Sequence, residues 1–99
     1  MYQSIEISEL DQLYGENPKL SILDVRETNE YLSGHIPGAS SMPLSQLSSL
    51  TGELSKDEMY YVVCQSGGRS AMASRALEEA GYQVTNVKGG MSAWEGARD

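Results

Sequence analysis

A chain of 99 residues has room for one domain with its own buried core, and we expect residues 1–99 to form a single domain. Seven lysine and arginine residues against fourteen aspartate and glutamate residues give a net charge of −7, which makes nucleic acids and anionic membranes poor partners. The single cysteine excludes an internal disulfide, and one cysteine with one histidine form no recognisable metal site.

The start of the chain, MYQSIEIS, lacks a basic stretch followed by an apolar one. No apolar run is long enough to cross a bilayer. We therefore expect a soluble, cytoplasmic monomer.

The first elements of the chain are predicted to be two strands separated by a helix. Residues 3–7 (QSIEI) alternate enough for a short strand, and Ser8 is a weak N-cap for a helix that ends near Gly15. Residues 20–25 (LSILDV) read as a second, buried strand.

The next segment predicts short elements joined by turns. Thr28 is a suitable N-cap for a helix that Gly34 ends. Residues 35–38 (HIPG) place proline before glycine, as a type II turn prefers, and residues 39–42 follow as a brief strand. Residues 43–56 are rich in serine and leucine and predict a short helix and a loop.

The hydrophobic period changes in the second half of the chain. Residues 59–63 (MYYVV) lack polar alternation, which is typical of a strand buried on both faces. From Arg69 to Ala80 apolar residues recur at helical spacing, and Gly81 is a plausible C′ residue. The expected buried face of this helix consists of Ala73, Ala76, Leu77 and Ala80.

Residues 82–87 predict the last strand, residues 89–90 a turn, and residues 91–94 the start of a terminal helix. Strands thus alternate with helices throughout. Right-handed crossovers then give an α/β fold, with a small parallel β-sheet flanked by helices on both faces.

Cys64 lies between the strand at 59–63 and the helix that follows, a place where reacting groups collect in such folds. Free N–H groups of the first helical turn, the helix dipole and the guanidinium of Arg69 all favour its thiolate. Gly67 and Gly68 let the loop curl with its N–H groups pointing inward. A buried structural cysteine is the alternative. The succession of strand, cysteine, two glycines, arginine and helix favours a functional thiol.

Other side chains are candidates for supporting roles. Asp24 and Arg26 follow a strand at the same edge as Cys64, and we favour a structural role for them. His35 lies in a turn beside a proline, so a structural histidine is favoured over a catalytic partner of Cys64. Arg69 opposes the helix dipole, which indicates a functional reason for its presence. Ser70 either bonds the thiolate or caps the turn.

Three segments carry a resemblance to a known family. CQSGGRS at residues 64–70 resembles the active-site loop of the rhodanese family of sulfurtransferases. LDVRETNEYLSGHIPGAS at 23–40 resembles the family's first signature segment, and VKGGMSAWEGA at 87–97 resembles its closing segment. The resemblance implies a rhodanese-like fold, Cys64 as nucleophile, and Asp24, Arg26 and His35 around it. It also implies a substrate- or persulfide-binding loop formed by Gln65, Ser66, Gly67, Gly68, Arg69 and Ser70.

The length of the loop between cysteine and arginine distinguishes the reactions that are compatible with this resemblance. Rhodanese-like loops have four residues between cysteine and arginine, as here, whereas the loops of related phosphatases and arsenate reductases have one more. The resemblance therefore implies transfer of sulfane sulfur through a Cys64 persulfide, without a cofactor or metal. The expected donor is a small sulfur-containing anion such as thiosulfate, or a persulfide. The expected acceptor is cyanide or a thiol, including a thiol carried by a protein.

Two alternatives stay open beside the sulfurtransferase. One is a non-catalytic rhodanese-like binding or regulatory module, although such domains usually lack the cysteine. The other, disfavoured by loop length, is a cysteine-dependent phosphatase or arsenate reductase.

Overall fold

The computed structural model describes all 99 residues and has one five-stranded sheet in the order β1-β5-β4-β2-β3. Every neighbouring pair of strands is parallel. The strands are β1 (Gln3–Glu6), β2 (Ile22–Asp24), β3 (Ser40–Ser41), β4 (Met59–Val63) and β5 (Gln83–Lys88). The predicted α/β fold with a small parallel sheet is confirmed.

Four α-helices connect the strands: α1 (Ile7–Glu16), α2 (Thr28–Leu32), α3 (Leu47–Leu50) and α4 (Gly68–Glu79). Single 3-10 turns occur at Leu44–Gln46, Thr51–Glu53 and Met91–Ala93. The short helix and loop predicted for residues 43–56 are therefore confirmed. No helix has the length and apolar character needed to span a membrane.

The sheet has a hydrophobic core on each face, which confirms helices on both sides. One core lies under α3 and α4 and contains Leu23, Val25, Met42, Leu47, Tyr60, Val62, Cys64, Ala73, Leu77 and Val84. The other lies under α1 and the last 3-10 turn and contains Ile7, Leu10, Ile22, Ile36, Ala39, Val63, Val87, Met91 and Trp94. Central strand β4 contributes to both cores, as its unbroken apolar sequence predicts.

Both predicted N-caps in the first half of the chain are wrong by one or two residues. Helix α1 begins at Ile7 with Glu6 at the N-cap position and no side-chain cap, because burial of Ile7 in the core starts the helix before Ser8. Helix α2 has Glu27, not Thr28, as its N-cap residue. Glu27 and Glu30 form a reciprocal capping box that places the Glu30 carboxylate at the start of α2.

The turn at residues 36–39 forms as predicted, with Ala39 N–H donating to Ile36 O at 2.9 Å and Gly38 at a φ of 89°. The predicted terminal helix is a single 3-10 turn instead. The residues after this turn hold the chain end in place: Trp94 Nε1 donates to Ala97 O, and Asp99 N–H donates to His35 O.

Helix α4 ends as predicted, since Gly81 has a φ of 97° and its N–H and that of Tyr82 satisfy the last carbonyls. Its buried face differs from the prediction. Ala76 and Ala80 are exposed, and the residues that face the core are Ser70, Ala73, Ser74 and Leu77. The loop before α4 turns Ser70 towards Cys64, and this rotates the helix away from the face that its alanines predict.

Candidate active site

Cys64 follows the last residue of β4, at the carboxyl edge of the sheet, and is only 1% exposed. The N–H of Gly67 donates to the Cys64 Sγ at 3.0 Å. The Sγ also lies 3.4 Å from Ser70 Oγ, to which the thiol donates. Ser70 Oγ itself donates to Gly67 O at 3.1 Å, so this hydroxyl both contacts the sulfur and caps the turn. The loop therefore wraps around the sulfur atom.

The surroundings of Cys64 act on its ionisation in opposite directions. Burial raises the pKa of the thiol, since a charge is poorly solvated in the interior. The hydrogen bond with the Ser70 side chain and those from the backbone N–H groups of Ser70, Gly67 and Ser66 lower it by more. The pKa of Cys64 is thus lower than that of an ordinary thiol, which favours the nucleophilic thiolate.

Two glycines allow the loop and its backing segment to approach each other. Gly67 has a φ of 114°, a conformation that other residues rarely adopt. Gly90 lies directly behind the loop, because a Cβ atom there would come within 2.4 Å of Cys64 O. The neighbouring N–H of Met91 donates to that same oxygen at 2.8 Å. Sequence reasoning read Gly89-Gly90 only as a turn and missed this contact.

The Arg69 guanidinium forms hydrogen bonds with Glu30 and none with the sulfur. Its Nη1 and Nη2 atoms donate to the two carboxylate oxygens of Glu30 in α2, at 2.6 and 2.9 Å. The hydrogen bond with Arg69 lowers the pKa of Glu30 to about 2, against a smaller opposing effect of burial. The hydrogen bond with Glu30 likewise raises the pKa of Arg69. Both groups are ionised at neutral pH.

Glu30 is the main residue of the site that sequence reasoning missed. A usable signal was present, because α2 follows β2 and so begins at the same sheet edge as the loop. That argument placed Asp24 and Arg26 near Cys64, and it applies equally to the first turn of α2.

Asp24 and Arg26 form a buried ion pair beside the loop, with exposures of 0% and 3%. Arg26 Nη2 and Nε donate to the two Asp24 oxygens at 2.8 and 3.0 Å. The same guanidinium donates to Gly34 O at 2.7 Å and to Gln65 Oε1 at 3.3 Å. The pair thereby connects β2 and the segment after α2 to the first residue of the loop.

His35 contacts neither Cys64 nor the loop through a hydrogen bond. Its Nδ1 lies 2.9 Å from Tyr31 O, and its ring stacks on the Tyr31 ring at 3.7 Å between centroids. The structure therefore shows His35 as part of the packing between α2 and the turn that follows.

The loop is a shallow cradle and not the floor of a deep cavity. Four surface clefts of about 300 to 610 Å³ occur, and none is lined by Cys64 or by another loop residue. No group of three or more His, Cys, Asp or Glu side chains is placed to hold a metal ion. The site can accept a small group, or one presented from outside by a larger molecule.

Comparison with known proteins gives a consistent result. The profile of the rhodanese-like domain matches residues 6–97. The chain is 39% identical over 93 residues to the putative sulfur carrier protein YrkF of Bacillus subtilis (strain 168), covering 93% of this chain and 50% of YrkF. It is 35% identical over 94 residues to the putative sulfurtransferase YtwF of the same organism, covering 95% of this chain and 91% of YtwF.

Among solved structures, a rhodanese-like domain protein from Staphylococcus aureus superposes with a TM-score of 0.88 at 38% identity, covering 96% of this chain and 92% of that one. The chain spans about half the length of YrkF and most of YtwF.

Proposed function

The chain belongs to the rhodanese-like domain family, and from this premise we propose that it is a sulfurtransferase that carries sulfane sulfur as a persulfide on Cys64. One observation carries the proposal: a thiol of lowered pKa lies at the carboxyl edge of the sheet, beside the Ser70 hydroxyl and inside a loop of backbone N–H donors. Such donors stabilise a charged sulfur atom at this place.

The first half of the reaction loads the cysteine. The Cys64 thiolate attacks the outer sulfur of thiosulfate, the bond between the two donor sulfurs breaks, and sulfite leaves with the bonding electrons. The product is the Cys64 persulfide anion. With a persulfide donor R–S–SH, the same attack releases the thiol RSH. The N–H groups around the sulfur stabilise the charge of the new terminal sulfur.

The second half returns the cysteine to its starting state. A nucleophile attacks the terminal sulfur, which leaves as thiocyanate when the acceptor is cyanide or as a new persulfide when it is a thiol. Cys64 is released as the thiolate. Because residues 1–99 contain no second cysteine, the acceptor is a group outside these residues. The chemistry uses no cofactor or metal, and we place it in the cytoplasm, where thiols stay reduced.

The relatives support this choice of reaction. YtwF is named a putative sulfurtransferase and YrkF a putative sulfur carrier protein. The loop also has the four residues between Cys64 and Arg69 that the sulfurtransferases share. The backbone donors around Cys64 Sγ disfavour a purely structural, non-catalytic module.

Intact mass spectrometry tests the proposal directly. The purified protein is measured before and after thiosulfate or the persulfide of 2-mercaptoethanol, and again after cyanide. We expect a gain of one sulfur atom that cyanide removes. Turnover of an aryl phosphate, with no sulfur gain from either donor, would instead support a phosphatase.

The matched control is Cys64→Ser, which has nearly the same shape and lacks the nucleophile. We expect it to gain no sulfur and to melt cooperatively, as the unchanged protein does. Sulfur gained by Cys64→Ser would place the carrier elsewhere and overturn the proposal.

A further inference from the structure

The arginine of the active-site loop is already occupied by an anion of the protein itself. Glu30 takes both ends of the Arg69 guanidinium in a bidentate ion pair, and Glu30 and Arg69 are only 30% and 34% exposed. Such a fork is the arrangement that best satisfies an arginine side chain. A donor anion that needs Arg69 must therefore compete with Glu30.

Resting on the sulfurtransferase function proposed above, we propose that Glu30 determines donor specificity: it neutralises Arg69 and so disfavours the thiosulfate dianion relative to a persulfide of low charge. Thiosulfate brings two negative charges to the loop. A persulfide such as that of 2-mercaptoethanol brings at most one, on the sulfur that reacts.

The remaining charges near the loop do not replace Arg69. Arg26 is buried and held by Asp24, so its charge is compensated within the protein. Glu27 adds a second carboxylate near Arg69 and raises its pKa further. Lys88 is exposed at the end of β5, its backbone beside Gly67, and solvent screens its charge. The rim of the loop is thus neutral to negative, which repels a dianion more than a monoanion.

The contacts of Glu30 allow its charge to be tested apart from its shape. Glu30 Oε1 accepts hydrogen bonds from both the Glu27 N–H and Arg69 Nη1. In Glu30→Gln, an amide oxygen can still accept from the Glu27 N–H, so the start of α2 is retained. The substitution removes the negative charge and the acceptor of Arg69 Nη2, so a donor anion can compete for the guanidinium.

The experiment measures kcat/KM for thiosulfate and for the persulfide of 2-mercaptoethanol, with cyanide as the common acceptor. For Glu30→Gln we expect kcat/KM for thiosulfate to rise about tenfold, mainly through a lower KM, and that for the persulfide to change less than about twofold. The thiosulfate gain should shrink in 1 M salt, where charges are screened within about 3 Å.

Two further variants separate a specific effect from a general one. Glu16→Gln removes one exposed charge at the end of α1, far from the carboxyl edge of the sheet. It should leave the donor ratio, which is kcat/KM for thiosulfate divided by kcat/KM for the persulfide, unchanged. Adding Arg69→Gln to Glu30→Gln should remove most of the thiosulfate gain, since that gain acts through the freed guanidinium.

The outcomes are distinguishable from failure of the proposed function. If Cys64 is loaded but Glu30→Gln lowers kcat/KM equally for both donors, Glu30 only positions Arg69 and the specificity inference is wrong. An unchanged donor ratio, or a gain that persists without Arg69, also overturns it. If neither donor loads Cys64 in the unchanged protein, the sulfurtransferase function falls and this inference falls with it.

Discussion

Two arginine–carboxylate pairs flank the loop around Cys64, and they differ mainly in burial. The floor pair, Asp24 and Arg26, is 0% and 3% exposed and contacts the loop from inside the protein. The rim pair, Glu30 and Arg69, is about one-third exposed and joins the first turns of α2 and α4. Both pairs contain a bidentate guanidinium, so chemistry alone does not distinguish them.

Burial gives the two pairs different consequences. A charge left unpaired in the interior is poorly solvated, so the floor pair matters for the free energy of unfolding. Water can solvate either member of the rim pair, so its contribution to stability is small. The same exposure lets a donor anion reach Arg69. The comparison predicts that the floor pair supports the fold, whereas the rim pair is the one that we propose acts on the substrate.

The largest expected effect comes from breaking the floor pair. Asp24→Asn leaves the Arg26 guanidinium without its counter-charge in a buried site, and we expect the free energy of unfolding to fall by about 3–5 kcal/mol. Urea denaturation measures this loss. In the double variant Asp24→Asn/Arg26→Met no charge is left unpaired, and we expect part of the stability to return. A loss below about 1 kcal/mol for Asp24→Asn would contradict the comparison.

The next largest loss of stability is expected at Gly90, which packs behind the loop. Gly90→Ala puts a Cβ within 2.4 Å of Cys64 O at a residue whose φ is 59° and ψ is −164°, so we expect a loss of about 3 kcal/mol. Gly15→Ala is the matched control, since nothing lies within 4 Å and the residue is in α1. The control should gain about 0.5–1 kcal/mol. Equal effects of the two variants would show that the close approach is unimportant.

The rim pair should contribute little, and in a pH-dependent way. The pKa of Glu30 falls from 4.5 to about 2 on folding, so its contribution is present above pH 4.5 and is lost as the pH falls towards 2. Solvent screening limits this contribution to about 1 kcal/mol at neutral pH. We expect the difference in unfolding free energy between the unchanged protein and Glu30→Gln to shrink across that range. A constant difference would mean that the ion pair is not its source.

The smallest expected effect is on the reactivity of the thiol. Ser70→Ala removes the side-chain hydrogen bond that lowers the pKa of Cys64, so this pKa should rise. Alkylation by iodoacetamide near neutral pH should slow about threefold, because less thiolate is present. Ser48→Ala, at an exposed position in α3, is the control and should react at the unchanged rate. An unchanged rate for Ser70→Ala would leave the backbone N–H groups as the only source of the lowered pKa.

Local patterns predicted those features whose cause is local. The strand at 59–63, the presence of a helix after Arg69 and its end at Gly81 each depend on neighbouring residues, and the structure agrees with them. The N-caps were missed because burial of Ile7 and the capping box of Glu27 with Glu30 competed with the residues that cap best in isolation. The face of α4 was missed because the contact of Ser70 with Cys64 sets its rotation.

By itself, the sequence determined the parallel α/β fold, the family and the place of Cys64 between β4 and α4, because strand and helix periods and one short loop carry that information. Only the tertiary structure decided where Arg69 points and what stands behind Cys64. Glu30 lies 39 residues from Arg69 along the chain, and Gly90 belongs to the segment after the last strand. Such contacts depend on strand order and helix packing, which bring distant residues to one edge of the sheet and which no local pattern records.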